Sequence, residues 1–590
     1  MTRRGTPQST TLRGPRWLGA LAAIVLATAA VGQTAPRESF EGLWAAKQRF
    51  GPDIRGTLLI LARDGALRAD LAGLSVPVRV EGTSLSFALP DGRGSFRGVR
   101  SGGDIFGQWI QPATVRSGLG FATPVRLRPD GRGRWRGEIV PFDDHMTYFL
   151  PVTRGADGRF AAYLRNPERN MGRFIPVSRL EVEGEAVRLI GTRRGEQRET
   201  VLASGRRDAE AGVLSVPING ASFDFARESA TSSPFYPRSR TGERYRYAPP
   251  VRLDDGWPVG TLEEEGISRE AIERFVQMLI DTRMESVGSS QIHSLLIARH
   301  GRLVLEEYFH GYDRDTPHDT RSAAKSWTAV LIGAAMQAGI PIRLDTPVYA
   351  TMLATPPADL DPRKRAMTLE HLITMTAGFH CDDNTDAPGA EDVMQQQTEE
   401  PDWLRYTLNV PMVTAPGERI VYCSAEPNLA GGLLERIAGE PLPELFERLV
   451  ARPLGMGRYH LFLSPTGSAY GGGGHHFRPR DFLKLAQLML NEGSWQGRRI
   501  VSREWARQST AALRNLSPVQ TYGYLWNSVG YPYRGRTLHA FFAAGNGGQI
   551  FMGIPELDLA IGFTGGNYSD AALLIPQRVY VPEHILPAVN

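Results

Sequence analysis

Ser322 and Lys325 stand three residues apart in Arg321-Ser322-Ala323-Ala324-Lys325-Ser326-Trp327, where a loop turns into a helix. From Ser322 to Ala338 there is no proline and one glycine, Gly333. Apolar side chains fall at Trp327, Val330, Leu331, Ala334, Ala335 and Ala338. That spacing predicts a helix, which Gly339 would stop. Residues three apart share a helix face and can touch. At the helix start the N–H of Ser322 lacks an intrahelical partner and favours negative charge, which suits an oxyanion. A serine hydroxyl is a poor nucleophile until a base takes its proton. Lysine is that base only if burial or a neighbouring cation lowers its pKa from about 10.4 towards neutrality. A serine three before a lysine is common by chance, and a capped helix with a solvated lysine is the plain alternative. Composition sharpens the pair. The chain has four lysines (Lys47, Lys325, Lys364, Lys484) among 67 basic residues, and the other three follow Trp44, Asp361 and Asp481 at that spacing. Lysine has been kept where a removable proton is wanted, a task arginine cannot perform.

Two further stretches offer chemistry. In Val421-Tyr422-Cys423-Ser424, preceded by Pro416-Gly417, a tyrosine beside a lysine can relay the serine's proton to a leaving group. Ser424 could hydrogen-bond Lys325 or the substrate; the alternative for Tyr422 is burial in a strand or turn. In Ala544-Gly545-Asn546-Gly547-Gly548-Gln549, glycines would let a substrate lie against the backbone. The N–H of Gln549 would join that of Ser322 as an oxyanion hole, unless the stretch is a simple glycine-rich turn.

The region from about residue 261 to 590 resembles the serine β-lactamase and penicillin-binding-protein superfamily, in its class C and esterase-like branch. That family carries Ser-x-x-Lys, Tyr-x-Asn or Tyr-x-Ser, and Lys/His-x-Gly in this order. Here the matching residues are Ser322 to Lys325, Tyr422-Cys423-Ser424 and Asn546-Gly547-Gly548. Leu372–Gly378, Pro416–Arg419 and Arg452–Met456 are familiar flanks. The resemblance implies an α/β layered fold, an antiparallel sheet flanked by helices, beside a helical lobe with the site between. Ser322 would be acylated, Lys325 and Tyr422 would share general base and acid duties, and no metal or organic cofactor is implied. Two departures matter: Asn546 replaces the usual Lys or His, and Ser424 replaces an amide-bearing Asn. Losing a charge-assisted contact costs about 1.5–3 kcal/mol, about tenfold or more in affinity for a β-lactam carboxylate. An arginine from elsewhere could compensate. The expected activity is therefore that of an esterase or amidase on small-molecule esters, amides or peptide-like substrates. Members with Tyr-x-Ser include hydrolases of nylon oligomers. The alternatives are a true β-lactamase or D-alanyl peptidase, or a non-catalytic receptor for cell-wall fragments.

The rest of the chain must position these groups. A length of 590 residues predicts two or more domains. Residues 1–32 read as a secretory signal, with Arg3, Arg4, Arg13 and Arg16 before an uncharged run ending at Ala30-Val31-Gly32. Its removal takes the net charge of +4 to about zero. No basic block then argues for nucleic acid, and no stable membrane span is expected after cleavage. The product would be periplasmic or secreted, where Cys381 and Cys423 can form a disulfide. Residues 40–228 have short apolar runs punctuated by Asp64-Gly65, Asp91-Gly92, Asp130-Gly131, Asp157-Gly158 and Asn219-Gly220. They predict an all-β barrel or sandwich, with no residue that suggests catalysis. Residues 229–260 read as a linker. In the second domain a helix from Ser268 and a hairpin turning at His300-Gly301 precede Ser322, more helices follow, and strands close the chain. That order predicts a sheet joining both ends of the domain. Gly471–Gly474 reads as a mobile loop lining the cleft. His475-His476 has no zinc-like spacing nearby, and His371 and His380 read as structural.

Overall fold

Asn219 and Gly220 both take positive φ, 50° and 82°. They join strands Val213–Ile218 and Ala221–Arg227 in a two-residue hairpin, as that dipeptide favours. The computed structural model describes residues 39–63 and 65–590; the expected signal peptide, residues 1–32, lies outside them. Strands Gly42–Gly51, Asp144–Arg154, Phe160–Ala162, Val177–Glu183, Ala186–Gly191, Thr200–Asp208, Val213–Ile218 and Ala221–Arg227 close into a barrel, the first pairing with the last.

The all-β region holds a second sheet as well. Between the first two barrel strands, residues from Gly56 to Ile139 form an open antiparallel sheet around Leu58, Ile60, Phe96, Trp109 and Leu127. One of its strands, Phe121–Pro129, also pairs with Tyr459–Phe462 of the following domain, Ala122 opposite Leu461. Residues 229–260 contain no helix or strand, yet Phe235, Tyr247 and Trp257 are buried. Tyr247 Oη donates to Val304 O at 2.8 Å and Trp257 Nε1 to Arg480 O at 3.0 Å. The segment is strapped along the second domain.

That domain is built on an antiparallel sheet. Its order is Arg302–Tyr308, Ile292–Arg299, Leu559–Gly565, Gln549–Ile554, Arg536–Gly545, Asn527–Tyr533, Gln520–Tyr522, Arg514–Ser517. Ile292–Arg299, early in the domain, pairs with Leu559–Gly565 near its end. On one face lies helix Arg269–Ile280, whose N-terminus is capped by Ser268 Oγ accepting from Ala271 N at 3.3 Å. It buries Ile272, Phe275, Val276 and Leu279 against Tyr580, Val581 and Ile585. Burying side chains of this size contributes about 1.5–3 kcal/mol each.

On the other face, helices Lys325–Gln337 and Pro479–Leu490 separate the sheet from a helical lobe that includes Leu369–Ile373, Trp403–Asn409 and Ala425–Ala438. Every residue from Lys325 to Ala335 is buried, because this helix is covered on all sides. Gly333 has a packing reason: a Cβ there would lie 2.2 Å from Trp505 Nε1, which donates to Ala329 O at 3.1 Å.

Candidate active site

Ser322 sits in a 3-10 turn, Arg321–Ala324, that runs straight into helix Lys325–Gln337. The turn is clamped by backbone on both sides. Thr320 N donates to His475 O at 2.9 Å. A Cβ on Gly545 would lie 2.2 Å from Thr320 O, and one on Gly473 2.7 Å from Arg321 O. Arg321 takes φ +46°, a left-handed conformation unusual for a residue with a Cβ and held here by its surroundings. Asp319 Oδ1 accepts the Arg321 N–H at 2.8 Å.

Lys325 is 1% exposed. Its Nζ donates to Ser322 Oγ at 3.1 Å and to Gly472 O at 2.8 Å, and lies 4.8 Å from the ring centroid of Tyr422. Ser322 and Tyr422 line one cleft of about 670 Å³ with Arg419, Asn546 and the strand end Ala544-Gly545. The glycine run 471–474 was expected to be a mobile loop on this cleft. It instead packs behind the lysine: Gly471 O accepts from Thr328 Oγ1 at 2.8 Å, and Gly472 O accepts from Lys325 Nζ. A Cβ on Gly471 would lie 2.4 Å from Pro427 O, so the run supplies close approach rather than motion.

The other candidate residues are placed less directly. Ser424 is fully buried and gives its hydroxyl to Asp383 Oδ2 at 2.6 Å, so it reaches neither Lys325 nor the cleft. Its backbone N–H donates to the same oxygen at 2.8 Å, and Asp383 N donates to Tyr422 O at 3.0 Å. The Cys381–Cys423 disulfide joins the same two loops, so Tyr422 is carried on doubly tied backbone. Closing a loop of 42-residue separation stabilises by about 4 kcal/mol on the chain-entropy model. Reductant is expected to lower the melting temperature; an unchanged midpoint after both thiols are reduced and blocked would refute that contribution.

Gln549 opens the strand that follows. It is fully buried, with its side chain on Gly565 O at 2.8 Å and Asn546 O at 3.2 Å. Gly547 and Gly548 form the turn between the two strands, both at positive φ. Ala544, Gly545 and Asn546 line the cleft with Ser322, and a Cβ on Gly545 would lie 3.1 Å from Ala323 N. Asn546 is itself anchored, its Oδ1 accepting from Ser569 N at 2.8 Å.

Charge around Lys325 differs from the sequence expectation. Burial pushes its pKa down, but the Tyr422 phenol and the carboxyls of Glu391 and Asp383 push it up, and the balance lies above the ordinary lysine value. Glu391, held by Tyr470 Oη at 2.9 Å, and Asp383 were not legible as partners, since neither lies in a motif. Another buried acid stands close by. Glu426 is 2% exposed and accepts from Ala377 N at 3.3 Å; burial pushes its carboxyl well above the usual range. A raised folded-state pKa gives stability that is full below about pH 4.3 and lost as pH rises through the folded value. Glu426→Gln is therefore expected to gain about 1–3 °C more over wild type at pH 8 than at pH 5 in thermal melts.

The N-terminal region reaches this site. Arg169 donates to Asp319 Oδ2, the carboxylate that holds the Ser322 turn. Asn170 Nδ2 donates to Tyr568 O at 2.9 Å, and Arg173 pairs with Asp570. These grip the loop whose Asn567 N donates to Gly547 O at 3.0 Å. No catalytic signal was read there; the available hint was the polar run 165–170 between strands.

Residues 276–572, about half of the chain, match the protein-family model described as Beta-lactamase. The chain belongs to the beta-lactamase family. This is a family of serine hydrolases, and the sheet, the helical lobe and the Ser322–Lys325 pair lie within the matched span. Protein Rv1367c of Mycobacterium tuberculosis is 24% identical over 178 residues, 25% of this chain. The chain spans 44% of the length of that curated relative. Two solved structures are similar. EstCE1, described as a hydrolase with promiscuous acyltransferase activity, matches at 18% identity over 54% of this chain and 97% of its own, with a TM-score of 0.43. The octameric penicillin-binding protein homologue from Pyrococcus abyssi matches at 20% identity over 50% and 76%, with a TM-score of 0.40.

Proposed function

We propose that this beta-lactamase-family protein is an exported serine hydrolase, an esterase or amidase on small or peptide-like substrates, acting through an acyl-enzyme on Ser322. The observation that carries the reading is the buried Lys325 Nζ, 3.1 Å from Ser322 Oγ at the edge of the cleft that Tyr422 lines. Ser322 Oγ attacks the substrate carbonyl, and its proton passes through the Lys325–Tyr422 pair. The carbonyl oxygen gathers negative charge near the Ser322 N–H. The bond to the leaving group breaks as that group takes the proton, and water then attacks the ester by the reverse transfers. Export rests on the N-terminal sequence and is supported by the Cys381–Cys423 bridge. Among the described residues no helix is long and apolar enough to cross a membrane.

A second reading, β-lactam hydrolysis, is favoured by Arg419. Its exposed guanidinium lines the cleft and has no hydrogen bond or ion pair among the described residues, so it is a cation available to a carboxylate where Asn546 supplies none. Steady-state hydrolysis of a short-chain p-nitrophenyl ester and a chromogenic cephalosporin separates the two, with mass spectrometry locating the acyl group. Ester turnover through an adduct on Ser322, with little cephalosporin turnover, supports the esterase. Fast cephalosporin turnover transfers the assignment to a β-lactamase, and an adduct elsewhere refutes both.

A further inference from the structure

A second cavity, of about 400 Å³, lies between the barrel and the hydrolase domain, within the roughly 300–1,000 Å³ of small-molecule sites. It contains none of Ser322, Lys325 or Tyr422. Phe142 and Phe149 from the N-terminal region and Tyr312 and Tyr568 from the hydrolase domain give it aromatic walls. Asp319, which holds the Ser322 turn, lies in its lining beside Arg169.

One buried polar atom of the lining has no partner among the described residues. His476 is 7% exposed, makes no hydrogen bond through either ring nitrogen among the described residues, and its Nδ1 is buried without a partner. Burial holds its pKa at about 3, so at neutral pH it is an uncharged ring with one N–H and one lone pair. Tyr568 is 4% exposed, and its hydroxyl makes no hydrogen bond among the described residues. Buried polar groups are nearly always satisfied, so the unpartnered His476 Nδ1 points to something that enters.

The charges narrow what that is. Arg169 is matched by Asp319, Arg116 by Asp144, and Asp143 by Arg49 and Arg55. Glu168 accepts from Asn166 Nδ2 at 2.5 Å and lies 3.3 Å from His145 Nε2. Lys47 is left over: exposed, lining the cavity, and without an ion pair or hydrogen bond among the described residues. The other lysines are buried and engaged, Lys325 at Ser322, Lys364 on Leu408 O at 2.7 Å and Lys484 on Asp481 at 2.8 Å.

We propose that this cavity binds a small organic carboxylate with a flat, apolar body, its anionic end at Lys47 and its ring among the aromatic walls. Occupancy is felt at Ser322 through Arg169 and Asp319. The binding half stands apart from the reading of Ser322, and the coupling half rests on it.

The test titrates the mature full-length protein with benzoate, 3-phenylpropionate and, as the uncharged counterpart, benzamide, using calorimetry and saturation-transfer NMR. Saturable carboxylate binding is expected, weakened at least tenfold in Lys47→Gln and in His476→Phe and weaker for benzamide. Lys47→Gln is an exposed change that leaves the core intact. Binding must survive covalent blocking of Ser322 by a fluorophosphonate, which places it outside the catalytic cleft. Saturating ligand is expected to change the rate of fluorophosphonate labelling of Ser322 at least twofold, and not in Lys47→Gln. No saturable binding, equal binding by Lys47→Gln, or loss of binding on blocking Ser322 overturns the site. Binding with unchanged labelling overturns the coupling. If no ester is hydrolysed, the reading of Ser322 as an esterase nucleophile fails while the binding measurements still decide this site.

Discussion

Ser322→Ala is expected to lower ester turnover by about 10⁴-fold or more, with KM changed far less. In the proposed reaction the hydroxyl is the group that attacks, and its loss leaves no side-chain nucleophile in its place. Lys325 Nζ, the nearest nitrogen, is shared with Gly472 O at 2.8 Å and sits behind the serine rather than in the cleft. The N–H of residue 322 and the strand end Ala544-Gly545 remain in place, so substrate binding and residual carbonyl polarisation survive. The loss should therefore fall on kcat, and the adduct on the Ser322 peptide should vanish. A variant keeping more than about a hundredth of wild-type kcat would mean that another nucleophile, or a directly activated water, does the chemistry.

The Ser322–Lys325 contact was legible because it is local: three residues on a helix share a face wherever the helix goes. The hairpins at Asn219-Gly220 and His300-Gly301 were legible for the same reason, since positive φ is written into the dipeptide. The sheet that joins both ends of the second domain followed from the order of elements. What failed to show was set by distant backbone. Ser424 looked free for the cleft until Asp383, 41 residues earlier, took its hydroxyl. The glycines 471–474 were conspicuous, but a sequence cannot distinguish a glycine kept for motion from one kept so that Pro427 O can approach. Nor could it split the β region into barrel and inserted sheet, because strand Gly42–Gly51 pairs across the insertion with Asp144–Arg154. Arg169 is the clearest case. It lies in a region read as without catalytic signal, and the carboxylate it holds, Asp319, is 150 residues away.

Lys325→Arg is expected to cost about 10³–10⁴-fold, nearly as much as removing the nucleophile, although it preserves charge. General base catalysis is worth roughly 10²–10⁴, and a guanidinium neither gives up its proton nor fits its planar fork where one Nζ bridges Ser322 Oγ and Gly472 O. If Lys325 only neutralised Tyr422 or an oxyanion, arginine would retain most of the rate, so this variant separates proton transfer from simple charge. The pH dependence supplies a second axis. Tyr422, Glu391 and Asp383 together hold Lys325 above the ordinary lysine value, so the free amine grows scarcer as pH falls. The value of kcat/KM for a neutral ester should therefore climb through the alkaline range, without a plateau near neutrality. Glu391→Gln removes one of the carboxyls that raise Lys325, which must move the climb to lower pH. A climb that stays in place in Glu391→Gln, or moves to higher pH, would show that the rate does not follow the charge on Lys325. The proton from Ser322 would then have to leave through Tyr422 alone.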